Sequence, residues 1–174
     1  MDIHAKHGLA ALAAAAASGT APIDAQAQQA EVAVTQRCLT VRADQEWRPT
    51  GIRVAPNDFV CVAGEGLWSH GAQGEQAVFP YYGPEGYGKD NPVDARGAVL
   101  HVGALVGRIG PNAPFLIRQQ ACFVPRTAGE LGLSMDDVSG AFGNNRGSLR
   151  VLVGKWPVSA LPQRVSLDAR VCGP

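Results

Sequence analysis

The chain carries no surplus of charge of either sign: 15 lysines and arginines meet 15 aspartates and glutamates among 174 residues. Without a basic run to neutralise a series of phosphates, nucleic acid is not an expected partner. No C-x-x-C pair occurs, and His4 and His7 fall in a separate N-terminal segment, so the cysteines and histidines lack the spacing of a zinc or redox centre. No G-x-S-x-G elbow is present. The stretch Gly83 to Lys89 reads G-P-E-G-Y-G-K, one residue away from a phosphate loop. Asp90 stands where the magnesium-binding hydroxyl is needed, and Pro92 opposes the helix that should follow. Adjacent Asp136 and Asp137 would point to opposite faces of a strand and cannot flank a glycosidic bond as a carboxyl pair. These absences together give a non-enzymatic expectation.

The chain also lacks an apolar run long enough to span a bilayer as a helix. Its longest, the alanine-rich Gly8 to Ala17, follows Lys6 and His7 and precedes Ala25-Gln26-Ala27. This is the order of a signal peptide over residues 1–27 with cleavage before Gln28. No membrane association is expected after its removal, and the mature protein is expected to be secreted or periplasmic. A linker-like segment, 28–36, precedes a domain expected over 37–157.

Much else argues for strands. The hydrophobic fraction of 46% suffices for one core, and 21 glycines with 12 prolines disfavour long helices. Short strand candidates are Cys38 to Val41, Gly51 to Val54, Asp58 to Ala63 and Gly66 to His70, with Ala55 to Asp58 as a turn. Further candidates run from Ala104 to Ile109, Pro114 to Arg118 and Ala121 to Val124; Leu131 and Leu133 alternate, as do Leu149, Val151 and Val153. Period two dominates, which predicts an all-β fold of two packed antiparallel sheets, a jelly-roll-like β-sandwich. Between Ala72 and Ala98 a long loop carries Tyr81, Tyr82 and Tyr87, expected to pack beneath it, and Trp68 is expected in the core.

Cys38, Cys61, Cys122 and Cys172 are even in number in an exported chain and predict two disulfides. Three pairings are open. A Cys38–Cys172 bridge would clamp the chain ends, tether the 158–174 extension and leave Cys61–Cys122 inside the sandwich.

Side-chain oxygens concentrate in the loop Asp136 to Ser148, between two strand candidates. Calcium takes six to eight oxygen ligands, and glycines let backbone carbonyls turn inward. An EF-hand is excluded, since its acidic alternation and closing glutamate are absent. Taken alone, such residues are also what turns are made of.

Over about residues 40 to 155 the chain resembles the PA-I galactophilic lectin family, calcium-dependent galactose-binding β-sandwiches. The resemblance runs through Val41-Arg42-Ala43, Thr50-Gly51-Ile52, Pro56-Asn57-Asp58, Trp68-Ser69-His70-Gly71, Gly83-Pro84, Asn91-Pro92 and Gly103-Ala104-Leu105-Val106. Its most specific stretch is Asp137-Val138 to Gly143-Asn144-Asn145, followed by Gly147-Ser148. The resemblance implies that calcium is held by the side chains of Asp137, Asn144 and Asn145, the backbone carbonyls of His70 and Ala141, and two sugar hydroxyls. It also implies sugar contacts by His70, Asn91, Asp94, Asp137, Val138 and Asn144, and small homo-oligomers. His70 stands at the family's tyrosine and Asn91 at its histidine before proline. A segment one residue shorter makes Asp94 the candidate for the glutamine that contacts the exocyclic hydroxymethyl. The expected activity is binding of galactose-like sugars or another glycan; the alternative is an exported interaction module that has kept the sandwich and lost the sugar.

Overall fold

The computed structural model describes residues 34–71, 81–88, 101–161 and 165–173. The proposed signal segment, most of the linker, Asn91 and Asp94 lie outside them. Eight strands follow in chain order: β1 Thr35–Arg42, β2 Arg48–Val54, β3 Asp58–Ser69, β4 Leu105–Ile109, β5 Phe115–Leu116, β6 Gln120–Phe123, β7 Gly129–Met135 and β8 Arg146–Pro157. They form two antiparallel four-stranded sheets, β1-β8-β3-β6 and β2-β7-β4-β5. The fold is an all-β sandwich.

Alternation explains the layers. On β8, Leu149, Val151 and Val153 point inward, and on β3 Val60 and Val62 join them. Ile52 and Val54 of β2 and Leu131 and Leu133 of β7 close the core from the other sheet. Each buried aliphatic side chain contributes about 1.5 to 3 kcal/mol, which commits the strands to this register because a one-residue slip would turn the whole set outward. Pro49 is tolerated because β2 is an edge strand. The Ala55 to Asp58 turn is closed by Asp58 N–H on Ala55 O at 2.9 Å and by Ala55 N–H on Asp58 Oδ2 at 2.9 Å.

The structure departs from the strand candidates where glycine interrupts the apolar pattern. Asp58 to Ala63 and Gly66 to His70 are one continuous strand paired with β8 from Asp58 to Ser69. Of the long loop, residues 81–88 lie against β3, where Tyr82 and Trp68 exchange backbone hydrogen bonds at 2.9 and 3.0 Å. Trp68 is fully buried, its indole N–H donating to Gly103 O at 2.8 Å.

Both disulfides are closed: Cys38–Cys172 across 134 residues and Cys61–Cys122 across 61. The second does not sit inside the sandwich. Cys61 and Cys122 are cross-strand partners of β3 and β6, and Cys61 alternates with inward Val60 and Val62. It therefore lies on the outer face, in a second apolar cluster with Ala63, Leu152, Trp156, Leu167 and Ala169. Leu167 and Ala169 belong to the C-terminal extension, which covers that face.

Candidate functional site

At one end of the sandwich the close of β3 meets the loop between β7 and β8. The site forms there because β3 and β8 are paired to their tips, Ser69 opposite Arg146. Gly147, with φ of +87°, lets β8 begin against β3: a Cβ there would lie 2.5 Å from Leu67 O and 2.9 Å from Trp68 Cα.

Asn145 is the hub. It is buried, and its Oδ1 accepts from Gly71 N–H at 2.7 Å. Its Nδ2 donates to Ala43 O at 3.1 Å and to Asp137 Oδ2 at 2.9 Å. One side chain thus ties together the ends of β1 and β3 and the start of the oxygen-rich loop. Asp137 Oδ1 accepts from Val138 N–H at 2.7 Å, which fixes the second carboxylate oxygen. Asn144 lies against Gly71 so closely that a Cβ on that glycine would stand 2.2 Å from Asn144 Cγ. Ala141 N–H donates to Val138 O at 2.9 Å, closing a turn before the short 3-10 helix Phe142–Asn144. Arg146 Nη1 donates to Asn145 O at 2.7 Å and Gly143 O at 3.3 Å, so two loop carbonyls are held on its far side.

The structure therefore gathers His70, Asp137, Ala141, Asn144 and Asn145 at one end of the molecule, with Val138 exposed beside Asp137. Among the described residues no group of three or more His, Cys, Asp or Glu forms a metal cluster. The donors at this end are one carboxylate, two amides and backbone carbonyls. That all-oxygen set fits a hard cation, and Asn145 Oδ1 keeps one lone pair beyond the Gly71 bond.

His70 is held from behind by aromatics. Its N–H donates to the Tyr82 hydroxyl at 2.8 Å, its Nδ1 lies 2.5 Å from the same oxygen, and its ring stands 5.6 Å from Tyr82 and 5.4 Å from Tyr87. A family model described as PA-IL-like protein matches residues 38–156, a span that contains this whole arrangement.

The chain belongs to the PA-IL-like family. Among solved structures it is similar to one titled "EclA N-terminal domain; PllA-like lectin", at 19% identity and a TM-score of 0.53. That match covers 68% of this chain and 94% of the other, and it shows the shared fold. No curated protein matches. The PA-IL-like match ends at 156, so the extension that covers the outer face lies beyond it.

At this end of the sandwich, Tyr82 is the residue that reading the sequence missed. Tyr82 and Tyr87 pack as expected of loop aromatics, whereas Tyr81 is exposed. Nothing local announces that the Tyr82 hydroxyl would reach the His70 backbone twelve residues away. Burial pushes the Tyr82 phenol up to about 12, the Asp137 and Tyr87 charges adding to it and the bond from His70 N–H opposing it. A raised acid pKa means that the folded state holds its proton longer than the unfolded one. Below pH 10 Tyr82 therefore leaves stability unchanged, and stability falls as pH rises from about 10 to about 12. We expect ultraviolet titration at the phenolate band to show one tyrosine lagging the others, and the lag to vanish in Tyr82→Phe.

Proposed function

We propose that the protein is a calcium-dependent carbohydrate-binding protein, exported to a secreted or periplasmic location, that binds galactose-like sugars without chemical change. One observation carries this: Asp137 and Asn145 are hydrogen-bonded at 2.9 Å beside Asn144 and the His70-Gly71 backbone, an all-oxygen cradle at an exposed end of the sandwich. The solved relative's title as a lectin supports the same reading. Two disulfides suit an oxidising compartment.

Asp137, Asn144, Asn145 and the carbonyls of His70 and Ala141 would hold the ion. Calcium, when bound, supplies open coordination positions that two vicinal sugar hydroxyls can fill in place of water. The chain's own residues do the rest. The Asp137 carboxylate accepts from sugar hydroxyls, the Asn144 amide both donates and accepts, and exposed Val138 offers an apolar contact. Tyr82 and Tyr87 fix His70 at the rim, which cuts the ordering cost of binding. Asn91 and Asp94 complete the proposed sugar-contact set.

A second reading, an interaction module without sugar binding, draws on Asn145. Its donors and one acceptor position are already met within the protein, as in a purely structural hub. Retention on a galactose resin separates the two. We expect the protein to be retained with calcium and released by EDTA; passage through the column in calcium, and no signal on a glycan array, would leave the interaction module.

A further inference from the structure

Beside the cradle the tips of β1 and β8 carry an open cleft of about 450 Å³, lined by Thr40, Arg42, Asp44, Arg146 and Ser148. Its volume lies within the range of small-ligand sites, roughly 300 to 1,000 Å³. The register places it on the outer face of the sheet. Val41 of β1 and Leu149 of β8 point into the core, so Thr40, Arg42 and Ser148 point outward, with Arg42 directly opposite Ser148. Thr40, Arg42, Asp44 and Arg146 are exposed and Ser148 is half-buried, so their polar groups face solvent.

The cleft adjoins the oxygen-rich loop through Arg146. The Arg146 Nη1 bonds to Asn145 O at 2.7 Å and Gly143 O at 3.3 Å hold the guanidinium against the backbone of the segment that presents Asn144 and Asn145. Asn145 borders both places: its amide lies in the cradle against Asp137, and the residue lines the cleft.

The charges in the cleft do not balance. Arg42 and Asp44 neutralise each other through Nε on Oδ1 at 2.8 Å and Nη2 on Oδ2 at 2.5 Å, which leaves Arg42 Nη1 unused. Among the described residues Arg146 has no carboxylate partner; its bonds to carbonyls leave Nε, Nη2 and the whole positive charge unmet. The Asp44 carboxyl is held below the ordinary carboxylate range, first by its Arg42 hydrogen bond and last by the charge of Arg146, which therefore reaches into the cleft. An ammonium or metal ion would be repelled by this surplus, and a neutral ligand would leave it unmet. A carboxylate or sulfate meets it, because a guanidinium holds two such oxygens at once.

We propose that the sugar site extends into this cleft and takes an acidic oligosaccharide, whose terminal galactose-like sugar sits at the cradle and whose neighbouring sugar presents a carboxylate or sulfate to Arg146. This rests on the reading of the cradle as a galactose site. Arg146 sets the specificity, Arg42 Nη1 and the Ser148 hydroxyl are further donors to the anion, and Asp44 accepts from sugar hydroxyls.

The test is titration calorimetry of the full chain, both disulfides closed and calcium present, with lactose, galactosyl-glucuronate, and lactose sulfated at glucose O6. At low salt one or both acidic disaccharides should bind about three- to fivefold tighter than lactose, the upper range for an exposed ion pair, and about 0.5 M salt should erase the difference. The tighter of the two names the acidic group. Arg146→Gln should bring the ratio of acidic to neutral affinity to about one; the ratio is read because loosening the loop carbonyls would weaken all three ligands alike. Should Arg146→Gln fail to fold, Ser148→Asp, which adds a negative charge to the cleft and leaves Arg146 in place, should lower the ratio in the same way. The proposal is overturned, and the cradle reading kept, if lactose binds with calcium but the acidic disaccharides bind no tighter, keep their advantage in both variants, or bind equally well in EDTA. If lactose itself does not bind in calcium, the cradle reading fails and the proposal with it.

Discussion

Asp137→Ala is expected to abolish the calcium response of the protein while leaving it folded. Asp137 supplies the carboxylate among the proposed ligands, and hard cations depend on such charge, so affinity should fall by about 100-fold or more, equivalent to roughly 2.7 kcal/mol. The fold should survive. Asn145 Nδ2 loses its bond to Asp137 Oδ2 but keeps the one to Ala43 O at 3.1 Å, and Asn145 Oδ1 keeps Gly71 N–H. Val138 N–H also loses Asp137 Oδ1, but Val138 is exposed and its N–H can turn to water, so the two lost hydrogen bonds cost about 1 to 2 kcal/mol together. In the parent protein, calcium at about 100 times its dissociation constant should add roughly 2.7 kcal/mol, which for a domain of this size raises Tm by about 5 to 10 °C. Thermal unfolding with and without calcium reads both quantities. A variant that kept the full calcium-induced rise would place the ion elsewhere.

Removing the Cys38–Cys172 bridge with the pair Cys38→Ser and Cys172→Ser should produce the largest stability loss. The bond closes a loop of 134 residues, worth about 5 kcal/mol in the chain-entropy model, of which roughly 3 to 5 should be seen. At about 2 to 4 °C per kcal/mol, Tm should drop by roughly 6 to 20 °C. The loss has a location as well as a size. With the tether gone, residues 165–173 should exchange their amide hydrogens faster, and Trp156, 6% exposed beneath Leu167 and Ala169, should become accessible to quencher. The core between the sheets should stay protected, because Val60, Val62, Val151 and Val153 make no use of the extension. An unchanged Tm would mean that Leu167 and Ala169 hold the extension unaided.

How much of this was legible in the chain varies with the range of the interaction. The alternation Leu149, Val151, Val153 announces β8, because a strand with one face on a core writes its period directly into sequence. Gly64 and Gly66 hide the continuity of β3, since pairing with β8 carries the strand through them. Asp137, Asn144 and Asn145 could be picked out as a group because they share one loop and match a family motif without a gap. The dependence of Asn145 on Ala43 and Gly71, and of His70 on Tyr82, could not, because those contacts join segments 102, 74 and 12 residues apart that no local pattern connects. The outer apolar layer is the extreme case. Leu167 and Ala169 show no period two, and their partners Cys61 and Leu152 lie on strands whose other faces already explain their alternation. The misplacement of Cys61–Cys122 has the same origin: a buried cysteine suggests the core, whereas here a second apolar layer buries it from outside.

Titration calorimetry bears most directly on the central claim. Residues 28–174, with both disulfides closed, would be titrated first with calcium and then with galactose, and the galactose titration repeated in EDTA. The account predicts heat on adding calcium, heat on adding galactose to the calcium-loaded protein, and none with galactose in EDTA; equal galactose heats with and without calcium, or no heat from calcium at all, would contradict it.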